Sequence, residues 1–346
     1  MTDPITQLVY HTLQRGKGAF GLFHKVAMSG ALNVIRPFSR EPEPPAAAEL
    51  AKLLERFEQL MDVDWQEAEQ GIYPVQLLFD SPWWDFLQYY LPIVIDTSEA
   101  WDRRENRQNN VFAPHISTDR YPNYYLQNFH NQTDGYLSDQ SAELYDHQVE
   151  ILFSGGADPM RRRVLAPVKQ AIATEDAPRI LDVACGTGRT LRMIRGALPQ
   201  AKLHGADLSA FYLRKANQLL SELPGALPQL MEANAEALPY TDNYFHALTC
   251  VFLFHELPGP VRQNIIAECF RVTQPGGILV ICDSLQIQDV QELDNFLPIF
   301  PALCHEPYYR DYIQDNLVAR LESVGFIEVQ TQTHFMGKYW LAKKPG

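Results

Sequence analysis

From residue 161 onward, short apolar runs alternate with stretches of helical periodicity, and few folds accept such an order. The runs at 179–183 (RILDV), 202–207, 247–254 and 277–283 (GILVICD) read as strands. Between them 190–198, 210–222 and 260–272 have helical spacing, as does 311–324 before Gly325. Residues 326–334 and 339–343 read as a closing pair of strands. Strand–helix alternation on this scale means a mostly parallel sheet covered by helices on both faces. The expected fold class is α/β, a doubly wound sheet with an antiparallel last strand. Ligands of such sheets sit beyond the carboxyl ends of the strands, where the strand order turns back.

The first 160 residues read differently. Residues 1–40 mix apolar Phe20, Leu22, Phe23, Val26 and Met28 with five cations against Asp3 alone, which suits one or two short helices. A Pro-rich break at 40–45 follows. Leu50, Leu53, Leu54, Phe57, Leu60 and Met61 then recur at helical spacing, so 46–70 is an amphipathic helix. Residues 73–145 are dense in aromatic and amide side chains with poor periodicity. That changes at Ser138, which can cap a helix through Glu143, Tyr145 and Val149. The net charge of -13 argues against a general nucleic-acid binder. Five cysteines without CxxC spacing read as reduced thiols of a cytoplasmic protein. No signal-like start and no apolar run of 18 residues is found, so a soluble chain is expected.

The segment Leu181-Asp-Val-Ala-Cys-Gly-Thr-Gly188-Arg-Thr joins the 179–183 strand to its helix. Glycines at 186 and 188 let the backbone turn tightly and approach a ligand closely. A dinucleotide fingerprint would need Gly or Ala at position 191, which is Leu. Asp182, in the strand before the loop, suits a ligand with a cationic amine better than a pyrophosphate. Asp207 ends the next strand, where a carboxylate can accept both hydroxyls of a ribose.

Three further stretches keep the same order: Asn234-Ala-Glu-Ala-Leu-Pro-Tyr-Thr-Asp-Asn-Tyr-Phe245, Val251-Phe-Leu-Phe-His-Glu-Leu-Pro258 and Arg271-Val-Thr-Gln-Pro-Gly-Gly277. With LDVACGTGR and GADLS they resemble class I S-adenosylmethionine-dependent methyltransferases. The nearest branch is the one holding the ubiquinone and menaquinone C-methyltransferases. The resemblance spans about 165–345 and is specific for the cofactor, not for the acceptor. It implies a Rossmann-like domain at 161–346 that binds S-adenosyl-L-methionine and releases S-adenosyl-L-homocysteine. A mainly helical accessory or lid domain at 1–160 precedes it. The resemblance also implies roles. Asp182 and the backbone of Ala184, Cys185 and Gly186 line the methionyl end, with Gly188 completing the loop. Asp207 holds the ribose and Leu208 packs on the adenine. Asn234, where the family usually has Asp, faces the adenine amine beside Ala235. Phe252 and Phe254 lie near the methyl group, and Tyr136 and Tyr145 cover the cofactor from the segment before the first strand.

Methyl transfer from a sulfonium is an in-line displacement in which positive charge disappears, so a dry, oriented pocket supplies most of the help. A hydroxyl or an activated carbon must also lose a proton. His255 and Glu256 are the candidate catalytic groups, although His255 could simply cap the helix that follows. Tyr124 and His130 in the aromatic tract, with His305 and Tyr309 before the last helix, are candidate acceptor contacts. The tract could equally be packing of the accessory domain. Arg161, Arg162 and Arg163 read as a solvated helix end, or as a contact for an acidic acceptor. No metal is expected, because the histidines come one per segment and neither His255-Glu nor His305-Glu completes H-E-x-x-H. The expected acceptor is a small apolar or aromatic molecule, methylated on oxygen or carbon before nitrogen. A protein methyltransferase and a non-catalytic cofactor-binding regulator stay open. Residues 1–40 are expected to make at most weak contact with a membrane surface, delivering a lipid-like acceptor. Nothing in the sequence specifies an oligomeric state.

Overall fold

The computed structural model describes residues 3–35 and 45–346, so most of the Pro-rich break lies outside the described residues. In chain order the elements are α1 (Pro4–Ile35), α2 (Ala47–Glu69), α3 (Phe86–Glu105), α4 (Asp139–Leu152), α5 (Ala157–Arg162) and α6 (Leu165–Ala171). Then come β1 (Arg179–Val183), α7 (Arg189–Ala197), β2 (Lys202–Asp207), α8 (Ala210–Ser221), β3 (Gln229–Glu232) and β4 (Phe245–Val251). The chain closes with α9 (Gly259–Val272), β5 (Thr273–Ser284), α10 (Phe300–Leu303), α11 (Tyr309–Tyr312), α12 (Leu317–Ser323), β6 (Ile327–His334) and β7 (Gly337–Lys343).

One sheet runs β3-β2-β1-β4-β5-β7-β6. Strands β1 to β5 are parallel where they pair, and β7 runs antiparallel to both β5 and β6. The order turns back between β1 and β4, which opens a crevice beyond their carboxyl ends. Successive side chains on a strand face opposite sides. Accordingly Ile180 and Val280 enter one core layer, while Leu181, Leu279 and Ile281 enter the other. The second layer is covered by α9 and α12. The first is covered by α6 and α7, and also by Tyr10 of α1 and Phe57, Leu60, Met61 and Trp65 of α2. The N-terminal helices therefore share a core with the sheet. Their grip reaches the far end of the chain: Arg56 Nε donates to the Phe335 carbonyl at 2.7 Å, and the Phe57 ring meets that of Phe335 at 5.4 Å.

Local differences from the sequence reading have local causes. Helix α1 is continuous over 32 residues. Helix α3 falls in the tract that lacked periodicity, because Pro92 interrupts it and apolar residues line both its faces, buried Phe86 and Ile93 opposite exposed Leu87 and Leu91. Strand β4 stops at Val251, since Phe252 turns into the left-handed region at φ 59°. The helix expected over 311–324 is split, because Asn316 caps a new start by accepting from the Ala319 N–H at 3.0 Å. Strand β3 is a short, largely exposed edge with no apolar run to betray it. Arg161, Arg162 and Arg163 are not solvated: all three are buried, pairing with Asp158, Asp64 and Glu67 respectively. Acidic side chains of α5 and α2 hold them.

Candidate active site

The crevice is built from the turn after β1. Ala184 and Gly186 both adopt φ near 54°, so the chain doubles back and presents its backbone to the cavity. A non-glycine residue at such a φ is uncommon and marks strain worth explaining by function. Asp207, at the end of β2, receives the Gly186 N–H and the Ser209 N–H at 2.8 Å each. Each carboxylate oxygen has a second lone pair, so two further donors can be accepted. Burial pushes the Asp207 carboxyl up to about 6, against the pull of those backbone donors. Leu208, Asn234 and Ala235 continue the same wall. The Asn234 carbonyl already accepts the Glu236 N–H at 2.9 Å.

Tyrosines roof this cavity. Tyr124, Tyr125, Tyr136, Tyr145 and Tyr212 all line it. Tyr136 and Tyr145 meet Tyr212 edge-on at 5.3 and 5.4 Å. Ser209 Oγ donates to the Tyr136 carbonyl at 2.6 Å, and the hydroxyls of Ser141 and Tyr212 lie 2.8 Å apart. Burial raises the Tyr136, Tyr145 and Tyr212 phenols far above their usual range, so they are neutral donors. Ser138 caps α4 as the sequence suggested, accepting the Ser141 N–H at 3.1 Å, and thereby sets the helix that carries Tyr145.

A second, smaller chamber adjoins the first. Tyr145, Phe252 and Glu256 line both, and His130, His255, Phe300 and Tyr309 complete the second. Tyr136 donates to Glu256 across the partition. His255 Nδ1 meets Asp283 Oδ1 at 2.7 Å. Burial disfavours the His255 imidazolium, yet Asp283 outweighs it and holds the ring up at about 9. Asp283 is itself pinned by the Phe254 and Ser284 N–H groups at 2.7 and 2.6 Å. Tyr309 shares a hydrogen bond with Ser284 at 2.7 Å. Burial raises the Glu306 carboxyl to about 7 even though His130 draws it down.

Several expected site residues are elsewhere. Asp182 does not line the cavity. It lies opposite Thr249 in the β1–β4 register and accepts its hydroxyl at 2.6 Å. Cys185 turns its thiol inward toward Gly205, leaving only backbone at the loop. Gly188 begins α7 at φ 83°, where a Cβ would come within 3.1 Å of Ala216 and Leu220. The missing Cβ lets α7 and α8 pack closely there. Phe254 points into the core as the chain turns after Phe252. His305 lines neither chamber: its ring meets Gln127 Oε1 at 2.9 Å and its carbonyl accepts the His130 N–H. Tyr125, Tyr212, Asp283 and Glu306 were missed. Asp283 had the same signal as Asp207, a carboxylate closing a strand, and Glu306 stood beside the histidine that drew attention.

Residues 180–277 match the family model described as a methyltransferase domain. The demethylmenaquinone methyltransferase of Thermus thermophilus is 37% identical over 133 residues, covering 38% of this chain and 57% of its own. That of Geobacillus stearothermophilus is 26% identical over 188 residues, 49% of this chain and 80% of its own. The ubiquinone/menaquinone biosynthesis C-methyltransferase UbiE of Syntrophotalea carbinolica is 36% identical over 150 residues, 43% of this chain and 60% of its own. The match thus spans 57% of the Thermus relative and 60% of the Syntrophotalea one. Among solved structures, Haemonchus contortus phosphoethanolamine N-methyltransferase 2 in complex with S-adenosyl-L-methionine is 14% identical. It covers 53% of this chain and 52% of its own, with a TM-score of 0.42.

Proposed function

We propose that this chain is an S-adenosylmethionine-dependent methyltransferase, a reading supported by the methyltransferase-domain match over 180–277, and that it methylates a small apolar or aromatic acceptor on oxygen or carbon. The observation that carries this reading is Asp207: a strand-end carboxylate fixed by two backbone N–H groups, with lone pairs turned to a roofed cavity. The residues fit the cofactor. A Cβ added at Gly186 would have only the Tyr212 ring within 4 Å, at 4.0 Å, so the loop leaves room where a ligand must pass closely. When bound, the cofactor supplies an electrophilic methyl group on a sulfonium. Asp207 would accept the ribose hydroxyls, Leu208 and Ala235 would flank the adenine, and Asn234 would accept from its amine. The backbone of Ala184 and Gly186 would hold the methionyl end. Tyr136 and Tyr145 exclude water, which strengthens every electrostatic contact inside. Phe252, shared by the two chambers, marks where donor and acceptor meet.

On the acceptor side, His130, His255 and Tyr309 line the chamber. Glu256, held by Tyr136, is the group positioned to take the acceptor's leaving proton, while His255, kept protonated by Asp283, is positioned to stabilise negative charge developing on the acceptor. Tyr124 sits on the cofactor side instead, donating to Glu236 at 2.8 Å. The names of the menaquinone and ubiquinone relatives favour a quinone-like acceptor. Calorimetric titration of S-adenosylmethionine tests the reading, followed by transfer of labelled methyl to solvent-extractable material. Label in protein would favour the protein-methylating alternative, and binding without any transfer the regulatory one.

A second observation concerns delivery. No helix among the described residues is long and apolar enough to cross a membrane. Yet Ile5, Leu8, Phe23 and Val26 of α1 are exposed, as are Leu87, Leu91 and Ile95 of α3. On α1 these fall on the face opposite buried Tyr10 and His24, and on α3 they recur every fourth residue. Helices with such an outward stripe can rest on a lipid surface. This supports a lipid-like acceptor presented at a membrane face.

A further inference from the structure

Four side chains that can ligate a metal converge beside the acceptor chamber from three parts of the chain. They are His130, His255 with Glu256 in the turn after β4, and Glu306 ahead of α11. One donor atom from each lies within 4.8 Å of all the others. His130 Nε2 is 3.4 Å and His255 Nε2 3.9 Å from Glu256 Oε1, while His130 Nδ1 is 3.1 Å from Glu306 Oε1. His130 is held there on a left-handed backbone, φ 56°, uncommon for residues other than glycine.

Two features separate this cluster from an ordinary network of ion pairs. The Glu306 side chain is fully buried, and neither of its oxygens has a hydrogen-bond partner; nor does His130 Nδ1, despite the 3.1 Å approach. The two groups are close but not aligned for an N–H···O bond, whereas a cation placed among them would satisfy both without such alignment. Such unpaired buried groups call for an explanation, and an ion is one of the usual ones. The second feature is behind the cluster. Asp283 fixes His255 through Nδ1 and leaves Nε2 toward the cluster. Metal-bound histidines are oriented in this way, by a carboxylate on the other ring nitrogen.

We propose that His130, His255, Glu256 and Glu306 bind a divalent first-row transition-metal ion. Two imidazole nitrogens with two carboxylates suit Zn2+ or Mn2+ better than Ca2+ or Mg2+, which prefer oxygen alone. The ion takes the place of protons otherwise held by the histidines. Three of the four ligands line the chamber that also contains Phe252 and Tyr309. An open coordination position there exchanges a bound hydroxide for an acceptor hydroxyl, the hydroxide leaving as water with the acceptor's proton and the acceptor oxygen staying as the anion. That role rests on the methyltransfer reading; the binding of the ion does not.

The test uses the full chain, treated with chelator and then titrated with Zn2+, and separately with Co2+ for its visible spectrum. The expected result is one equivalent bound, with cobalt bands of a nitrogen–oxygen site and no thiolate charge-transfer band. Glu306→Gln, nearly isosteric, removes stoichiometric binding. Asp283→Asn weakens it by about 10–100-fold, the usual effect of losing an outer partner. Circular dichroism and S-adenosylmethionine titration of the same variants show that they are folded. A wild-type chain that binds S-adenosylmethionine but no metal overturns the site and leaves the methyltransfer reading intact. A thiolate band, which would put the ion on cysteine, also overturns it. Metal binding without cofactor binding would instead overturn the methyltransfer reading alone.

Discussion

Asp64 receives both Nε and Nη2 of Arg162, at 2.8 and 2.6 Å, with neither side chain reached by solvent. Tyr10 and Tyr73 donate to the same carboxylate at 2.5 and 2.7 Å, so α1, α2 and α5 meet on one charge. Removing one partner of a buried pair leaves an uncompensated ion, which costs about 3–5 kcal/mol. Asp64→Ala is therefore expected to lower denaturant stability by that order. The double variant Asp64→Leu with Arg162→Met should recover a large part of it. Urea unfolding of the single and double variants measures both.

Burial holds the Asp207 carboxyl at about 6. On the proposed reading, in which its carboxylate accepts the ribose hydroxyls, cofactor affinity is full above that value and weakens as pH falls below it. Calorimetry should find S-adenosylmethionine about tenfold weaker at pH 5 than at pH 7. Asp207→Ala should weaken binding by more than about tenfold at pH 7, since hydrogen bonds to a charged group contribute about 1.5–3 kcal/mol each. A flat pH profile would remove Asp207 from the cofactor site.

Asp182 is raised to about 7, chiefly by burial. The folded chain then keeps a proton that the unfolded chain has already lost, from the ordinary carboxylate range up to about 7. Its contribution to stability is greatest at low pH and fades as pH rises through that window. Asp182→Asn keeps an acceptor for Thr249 and carries no charge. Its melting temperature should match wild type near pH 4 and exceed it increasingly toward pH 8. The scale is about 2–4 °C for each kcal/mol regained. Unchanged cofactor binding would show that the amine is held elsewhere.

The outward stripe of α1 predicts lipid attachment. Replacing Leu8, Phe23 and Val26 together by Ser should reduce flotation with anionic vesicles by more than about tenfold. Burying each such side chain is worth about 1.5–3 kcal/mol when complete. Equal flotation of both chains would show that α1 does not carry the contact.

The centre of the sheet was legible because β1, β4 and the second half of β5 are buried on both faces and therefore read as apolar runs, whereas the exposed edge strand β3 has no such signal. The loop at 184–188 and Asp207 were legible because their chemistry is local to one turn. What the sequence hid is whatever two distant segments make together. His130 and Glu306 stand 176 positions apart, so no spacing rule could join them. Arg162 looked solvated because Asp64 lies 98 residues earlier. Asp182 misled for a different reason: in a strand, a position next to the loop may face either the cavity or the layer beneath it.

The clasp between Arg56 and Phe335 bears on how the chain is made. The two residues are 279 positions apart, so on the ribosome α1 and α2 emerge long before the strands whose core they share. Until β5 and the turn before β7 appear, Trp65 has Tyr10 beside it but Phe57 lacks the Phe335 ring it packs on. Contacts of such long span form late and slowly, and apolar surface waits exposed meanwhile. The apolar side of α2 thus gains its last cover only when those strands are made.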